Sequence, residues 1–214
     1  RSSLAFSYAN IGTVYNTMGD TAKALESMRE ALRIREELGE ERYVASTHNA
    51  VGLVLDDKTP EAALVEFEKA LAIRERLGDR RGTAGTLTNI GDVQRKLDRP
   101  DLAVATLTRA LRIADEIQAP VLQIEIYDHL ASAEAARGNF KAAYDWHQKY
   151  TALKDRTFNQ ENSDRLNRLN TAYEAAQREQ QLALLGKETE LQAAQLDRQR
   201  ALIVAAVISV GVLV

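Results

Sequence analysis

This chain repeats itself about every forty residues, and that periodicity limits its fold more than anything else in it. The small residues Gly12, Gly52, Gly91 and Ala131 recur at intervals of 40, 39 and 40. Ala24, Ala63, Ala103 and Ala143 recur at 39, 40 and 40, and Ala31, Ala70 and Ala110 run in parallel, with Tyr150 in the fourth place. Three series holding one period predict an array of like units, each burying its apolar face against its neighbours. The echo is plainest between "YANIGTVYNTMGDTAKALESMREALRIREELG" from Tyr8 and "LTNIGDVQRKLDRPDLAVATLTRALRIADEIQ" from Leu87. His48 and Tyr127 open the other two units.

Each unit reads as two helices. Ala24, Met28, Ala31, Leu32 and Leu38 keep helical spacing, as do Ala63, Phe67, Ala70, Leu71 and Leu77. Breaks are expected at Gly19-Asp20, Thr59-Pro60, Arg99-Pro100 and Gly138-Asn139, and Pro60 and Pro100 suit a first helical turn, whose N–H groups have no intrahelical acceptor. Glycine or alanine on one helix lets its partner approach, while Tyr15, Leu55, Met28, Phe67 and Leu107 fill the space between; methionine and aromatic residues at this spacing read as core. Repeat two is one residue shorter than its neighbours between Leu55 and Ala63.

"NIGTVYNTMGDTAKALESMREAL", from Asn10, resembles a tetratricopeptide repeat, with its small-residue pair on the first helix and alanine–aromatic–alanine on the second. The fourth unit departs from that pattern at Ala131 and His147. The fold expected is all-α: a tetratricopeptide-repeat solenoid of about four helical pairs over 1–158, with units near 2–40, 41–80, 81–119 and 120–158. A long exit helix or coiled coil (159–200) and a truncated transmembrane helix (201–214) are expected to follow. In 159–200, Leu166, Leu169, Tyr173, Ala176 and Ala183, with Gln180 among them, form a short heptad seam that breaks near Gly186. It suggests a homodimer, or a helix laid along the array. The fourteen residues Ala201–Val214 carry no charge and are shorter than the ~20 a bilayer crossing needs. They read as the beginning of a membrane helix in a piece of a longer protein.

The order of repeats, charged helix and apolar run resembles a class of bacterial membrane receptors. That resemblance implies an inner-membrane protein with periplasmic repeats and a cytoplasmic output domain, commonly a GGDEF diguanylate cyclase, otherwise a histidine kinase. Arg198 and Arg200, just before the apolar run, favour the alternative of a cytoplasmic repeat region. A tail-anchored scaffold without signalling output is a further alternative.

Composition bounds the chemistry. With 28 Lys+Arg against 31 Asp+Glu and a net charge of −3, nothing points to nucleic acid. The absence of cysteine removes disulfides and thiolate chemistry, and His48, His129 and His147 stand apart from any metal-ligand spacing. No catalytic residue, cofactor or metal site is expected. Arg80, Arg81, Arg95, Lys96 and Arg99 form one basic cluster in the sequence, a solvated face or an anion site.

Binding is the expectation. In stacked helical pairs the first helices line a concave groove, which here would present Asn10, Thr13, Asn16, Asn49, Leu53, Asp56, Asn89, Asp92, Arg95, Asp128, His129 and Ser132, with Ala9 and Thr88 beside them. An asparagine amide both donates and accepts, so it can hold the backbone of an extended peptide or protein segment without reading its sequence. Related peptide-binding arrays use first-helix asparagines in this way. The two-lysine clamp that some of them use for a C-terminal carboxylate is absent, its places holding Ala9, Asn49, Thr88 and Asp128.

Overall fold

The computed structural model describes the backbone of residues 1–211 and the side chains of 1–160, 162–183, 185 and 186. Eight helices follow one another among these residues: α1 (Ser2–Thr17), α2 (Thr21–Glu37), α3 (Glu41–Leu55), α4 (Pro60–Arg76), α5 (Arg80–Lys96), α6 (Pro100–Glu116), α7 (Pro120–Ala136) and α8 (Phe140–Gly211). They form two units, Arg1–Thr157 and Phe158–Val214.

The turns are written locally. Asp20 and Asp79 accept hydrogen bonds from Lys23 N and Gly82 N at 3.1 and 3.0 Å as N-caps, and Pro60, Pro100 and Pro120 open α4, α6 and α7. At six of the seven turns an N–H reaches back five residues to close the helix end, as Asp20 does to Tyr15 and Ala119 does to Ala114. The residue before that N–H is left-handed: Gly19, Gly39, Gly78 and Gly138, but also Asp98 at φ 59° and Gln118 at φ 50°. The α3–α4 turn is the exception. The residue missing from repeat two is the left-handed one, and Thr59 N closes the helix on Leu55 O at 2.8 Å instead.

Within a repeat, glycine sets how closely the two helices approach. A Cβ on Gly12, Gly52 or Gly91 would lie 2.7 Å from Met28 Cγ, 2.6 Å from Phe67 Cε1 and 2.5 Å from Leu107 Cγ respectively. Between repeats, the next first helix packs on the preceding second helix: Val51 and Val54 join Ala24 and Met28, and Ile90 and Val93 join Ala63 and Phe67. An arginine seals two of these junctions. Arg35, almost wholly buried, reaches the Thr47 hydroxyl and the Tyr43 carbonyl (3.4 Å), and Arg74 reaches the Thr86 hydroxyl and the Gly82 carbonyl (2.8 Å). At the third junction Ala114 and Ile126, both fully buried, stand in the equivalent places, an apolar substitute for the polar clamp.

Two sequence expectations need correction. Leu38 and Leu77, counted on the apolar faces, are C-cap residues and are 40% and 37% exposed, because the chain turns away there. The fourth repeat fills its core with Trp146, stacked on Tyr127 at 5.7 Å, while the neighbouring His147 is exposed and stacks on Tyr150. That aromatic stack occupies the positions that His48 and Glu66 hold in repeat two, where Nδ1 lies 2.6 Å from Oε2.

In the second unit α8 continues as helix, and Leu166, Leu169 and Tyr173 of the heptad seam are exposed. No helix among the described residues is long and apolar enough to cross a membrane, and the apolar run 201–214 lies outside the described side chains.

Candidate functional site

The helix pairing sets the first helices side by side: α1 contacts α3, α5 contacts α7, and side chains bridge α3 to α5. Asn10, Thr13 and Asn16 are exposed on α1, as are Leu53 on α3 and Asp128 and Ser132 on α7. Thr13 Oγ1 donates to Ala9 O at 3.1 Å. Thr88 is different: it is fully buried, its hydroxyl donating to Ala84 O at 3.0 Å, and it offers nothing to a ligand.

The remaining candidates form a polar ladder across the helices. Asn49 Oδ1 on α3 accepts from Asn89 Nδ2 on α5 at 3.2 Å and lies 3.3 Å from Thr86 Oγ1. The two asparagines bond to each other and not to neighbouring turns. Two turns further along, Lys96 Nζ on α5 donates to Asp56 Oδ2 at 2.5 Å and Asp57 Oδ1 at 3.1 Å, with Asp92 Oδ2 at 3.3 Å. Asp92 Oδ1 in turn accepts from Arg95 Nη2 at 2.7 Å and faces His129 Nδ1 on α7 at 3.3 Å. Asp56 Oδ1 is buried without a hydrogen-bond partner.

These contacts set the charges. Burial works against ionisation of Asp92, but hydrogen bonds from His129 and Arg95 outweigh it and hold its carboxyl well below the usual carboxylate range. Burial likewise opposes the Lys96 charge, and Asp56 and Asp57 overcome it, keeping the ammonium well above its ordinary value. His129 is raised above an ordinary histidine, first by its bond to Asp92, with burial opposing. The ladder therefore holds Asp92 and Lys96 in their charged forms, paired with Arg95 and with Asp56 and Asp57 respectively.

The basic cluster seen in the sequence does not exist as a cluster in space. Arg80 and Arg81 sit at the start of α5 and Arg95 and Lys96 at its end, more than ~20 Å apart at ~1.5 Å per residue. Arg80 pairs with Glu116, and Arg95 and Lys96 are spent on aspartates, so these residues do not converge on one anion. Sequence reasoning missed Thr86 and the role of Lys96. Arg35/Arg74 and Thr47/Thr86 each recur at 39 residues, the repeat interval itself, and that signal could have revealed the clamps.

No group of His, Cys, Asp or Glu among the described residues could hold a metal ion. The ladder offers hydrogen bonds and charge but neither an activated nucleophile nor a paired acid and base.

Two family models described as tetratricopeptide repeat match the sequence, over residues 43–116 and 5–39, together more than half of the chain. No curated protein matches it. Among solved structures, BtubC (BKLC) from P. vanneervenii is 23% identical with a TM-score of 0.66, over 72% of this chain and 64% of that one. Aspartyl phosphate phosphatase F from Bacillus subtilis is 21% identical with a TM-score of 0.69, over 73% of this chain and 42% of the other. The Rap conjugation gene regulator of the plasmid pLS20, solved in complex with a Phr peptide, is 19% identical with a TM-score of 0.64, over 74% and 44%. The chain spans less than two thirds of each of these structures, and at such identities the likeness is one of fold.

Proposed function

The chain belongs to the tetratricopeptide-repeat family, a non-catalytic interaction fold, and we propose that its row of first helices holds an extended peptide or protein segment by the backbone. One observation carries this reading. The Asn89-to-Asn49 bond uses one N–H of Asn89 and the oxygen of Asn49, leaving the Asn49 amide hydrogens and the Asn89 oxygen without another partner among the described residues. A donor and an acceptor held side by side, in fixed orientation, suit the alternating N–H and C=O of an extended chain. Asn10, Thr13 and Asn16 continue the polar surface on α1, and Asp128 and Ser132 on α7. The likeness to a Rap regulator solved with a peptide supports a peptide over a small molecule. The test is to select binders from a random peptide library on the 214-residue chain and follow hydrogen exchange with the best of them. Protection along α3 and α5 is expected; protection confined to α4 and α6 would contradict the reading.

On this reading the repeats are the sensor region of a membrane-bound bacterial signalling protein, periplasmic and coupled to a cytoplasmic output, foremost a diguanylate cyclase. Self-association through 159–200 would set the spacing of two outputs. The exposure of Leu166, Leu169 and Tyr173 on α8, 58% or more each, supports a partner helix over that seam. Sedimentation equilibrium should show a dimer that the double substitution Leu169→Lys and Tyr173→Lys dissociates; a wild-type chain that stays monomeric would sink this part.

A further inference from the structure

A cavity of about 300 Å³ lies where the first two repeats join. It is lined by Ser2, Ser3 and Phe6 of α1, Arg35 of α2, Tyr43 of α3 and Glu40, the N-cap residue of α3. Phe6 is exposed because of its register on the first helix: Ser46, its equivalent with a repeat on either side, is exposed as well.

Two charges line this cavity without neutralising each other. Arg35 is 6% exposed, and its hydrogen bonds among the described residues all leave from Nη1, toward Thr47 and the Tyr43 carbonyl. Glu40 Oε2 is buried and has no hydrogen-bond partner among the described residues. Register explains the orphaned carboxylate. One repeat on, Asp79 stands in its place and caps α5 by accepting from Gly82 N; Glu40 is a methylene longer and makes no such bond to α3. At the third junction the place is held by Ala119. Burial lowers the Arg35 guanidinium from its usual value, and the nearby Glu40 charge is the first influence opposing it. Charges withdrawn from water are costly unless each finds a partner. The walls also set this junction apart. Phe6 and Tyr43 flank it, the Tyr43 ring 5.3 Å from Arg35 Cζ, where the second junction has Ser46 and Gly82 and the third Gly85 and Leu122.

We propose that this cavity binds a small zwitterion, an α-amino acid with an apolar side chain. Its carboxylate accepts from the Arg35 nitrogens other than Nη1, its ammonium pairs with the Glu40 carboxylate, and its side chain lies against Phe6 and Tyr43. The guanidinium fork matches a planar carboxylate. An α-amino acid carries both charges on one carbon, so it can answer both walls at once. A simple anion would leave Glu40 unpaired and be repelled by it, and a simple cation would do the same with Arg35. The volume stands at the lower end of the ~300–1,000 Å³ of ligand pockets and suits a molecule of this size. This site does not rest on peptide recognition by the asparagine row.

The test is calorimetric titration of the 214-residue chain with L-phenylalanine and L-leucine. Saturable one-to-one binding, roughly millimolar or tighter, is expected for both. N-acetyl-L-phenylalanine, without the ammonium, and L-phenylalaninamide, without the carboxylate, should each bind roughly tenfold or more weakly than L-phenylalanine. Glu40→Gln should weaken L-phenylalanine to the level of its N-acetyl derivative, yet leave the binding of that derivative unchanged. Ser3→Tyr, which gives α1 the ring that α3 carries at Tyr43, should fill the cavity and abolish binding. Ser3 is exposed and Glu40 makes no capping bond, so both variants should melt as the wild type does. No saturable binding of either amino acid would overturn the proposal. So would derivatives that bind as tightly as L-phenylalanine, or binding indifferent to both substitutions. The titrations contain no peptide, so this site and the asparagine row fail separately.

Discussion

Gly91 on α5 faces Leu107 on α6 so closely that a single added carbon would sit 2.5 Å from Leu107 Cγ and 2.8 Å from its Cδ2. Leu107 is fully buried and has nowhere to go. Gly91→Ala gains up to ~1 kcal/mol of helix propensity but overpacks a closed contact, and should destabilise the fold by ~1–2 kcal/mol net. Gly85, on the same helix, has nothing within 4 Å of the place where a Cβ would stand. Gly85→Ala should therefore stabilise by ~0.5–1 kcal/mol. Chemical denaturation of the two variants should give opposite signs; the same sign for both would show that α5 and α6 are not in this contact.

Gln118 adopts φ 50° at a turn where the α1, α2, α4 and α7 ends use glycine. A side chain in the left-handed region costs ~1–2 kcal/mol, and glycine's greater freedom in the unfolded chain offsets part of the gain. Gln118→Gly should raise stability by ~0.5–1 kcal/mol, read as a higher melting temperature. A lower one would mean that the Gln118 side chain makes a contact worth more than the strain.

Arg74 and Thr86 should behave as a unit. Removing Arg74 alone leaves the Thr86 hydroxyl in a dry junction, and Arg74→Ala should cost ~1–3 kcal/mol. The third junction solves the same packing problem with Ala114 and Ile126. Combining Arg74→Ala with Thr86→Ile should therefore recover much of the loss. A double-mutant cycle showing simple additivity would argue that the two side chains do not interact.

The Asp92–His129 pair gives stability a pH dependence of definite sign. Asp92, lowered in the fold, contributes above the unfolded value of ~3.9, and that contribution is lost as pH falls through its folded value. His129, raised, contributes fully below ~6.5 and loses that contribution as pH rises through its folded value. Glu125 and Asp128 on α7 push His129 the same way. The pair thus stabilises most between roughly pH 4 and 6.5, and melting temperature should decline from there toward pH 8. Asp92→Asn should flatten that decline. An equally steep decline in the variant would assign it to another group.

Much of this architecture is legible because it rests on local necessities. Small residues at Gly12, Gly52 and Gly91 are demanded by helix approach, and the turns are announced by Asp20, Asp79 and the prolines at 60, 100 and 120. The left-handed turns at Asp98 and Gln118 carry no glycine and so give no such signal. The site is harder to read for two physical reasons. Charges three and four apart on a helix look solvated until a neighbouring helix brings Asp56 to Lys96 and His129 to Asp92. Residues close in sequence, such as Arg81 and Arg95, are also separated by the length of the helix they share. Their places on the first helices pick out Asn49 and Asn89 as ligand-holding groups, but Asn49 shares its register with Thr88 and not with Asn89, so the repeat carries no sign that the two bond to each other.

That bond opens peptide recognition to one direct measurement: the affinity of a library-selected extended peptide for the wild-type chain and for Asn49→Ala, Asn89→Ala and Asn10→Ala. Each substitution removes backbone hydrogen bonds worth ~0.5–1.5 kcal/mol apiece, so each variant should bind roughly two- to tenfold more weakly. Asn49→Ala and Asn89→Ala should be strongly non-additive because each orients the other. Peptide affinity unchanged in all three variants, with folding intact, would contradict recognition by the asparagine row.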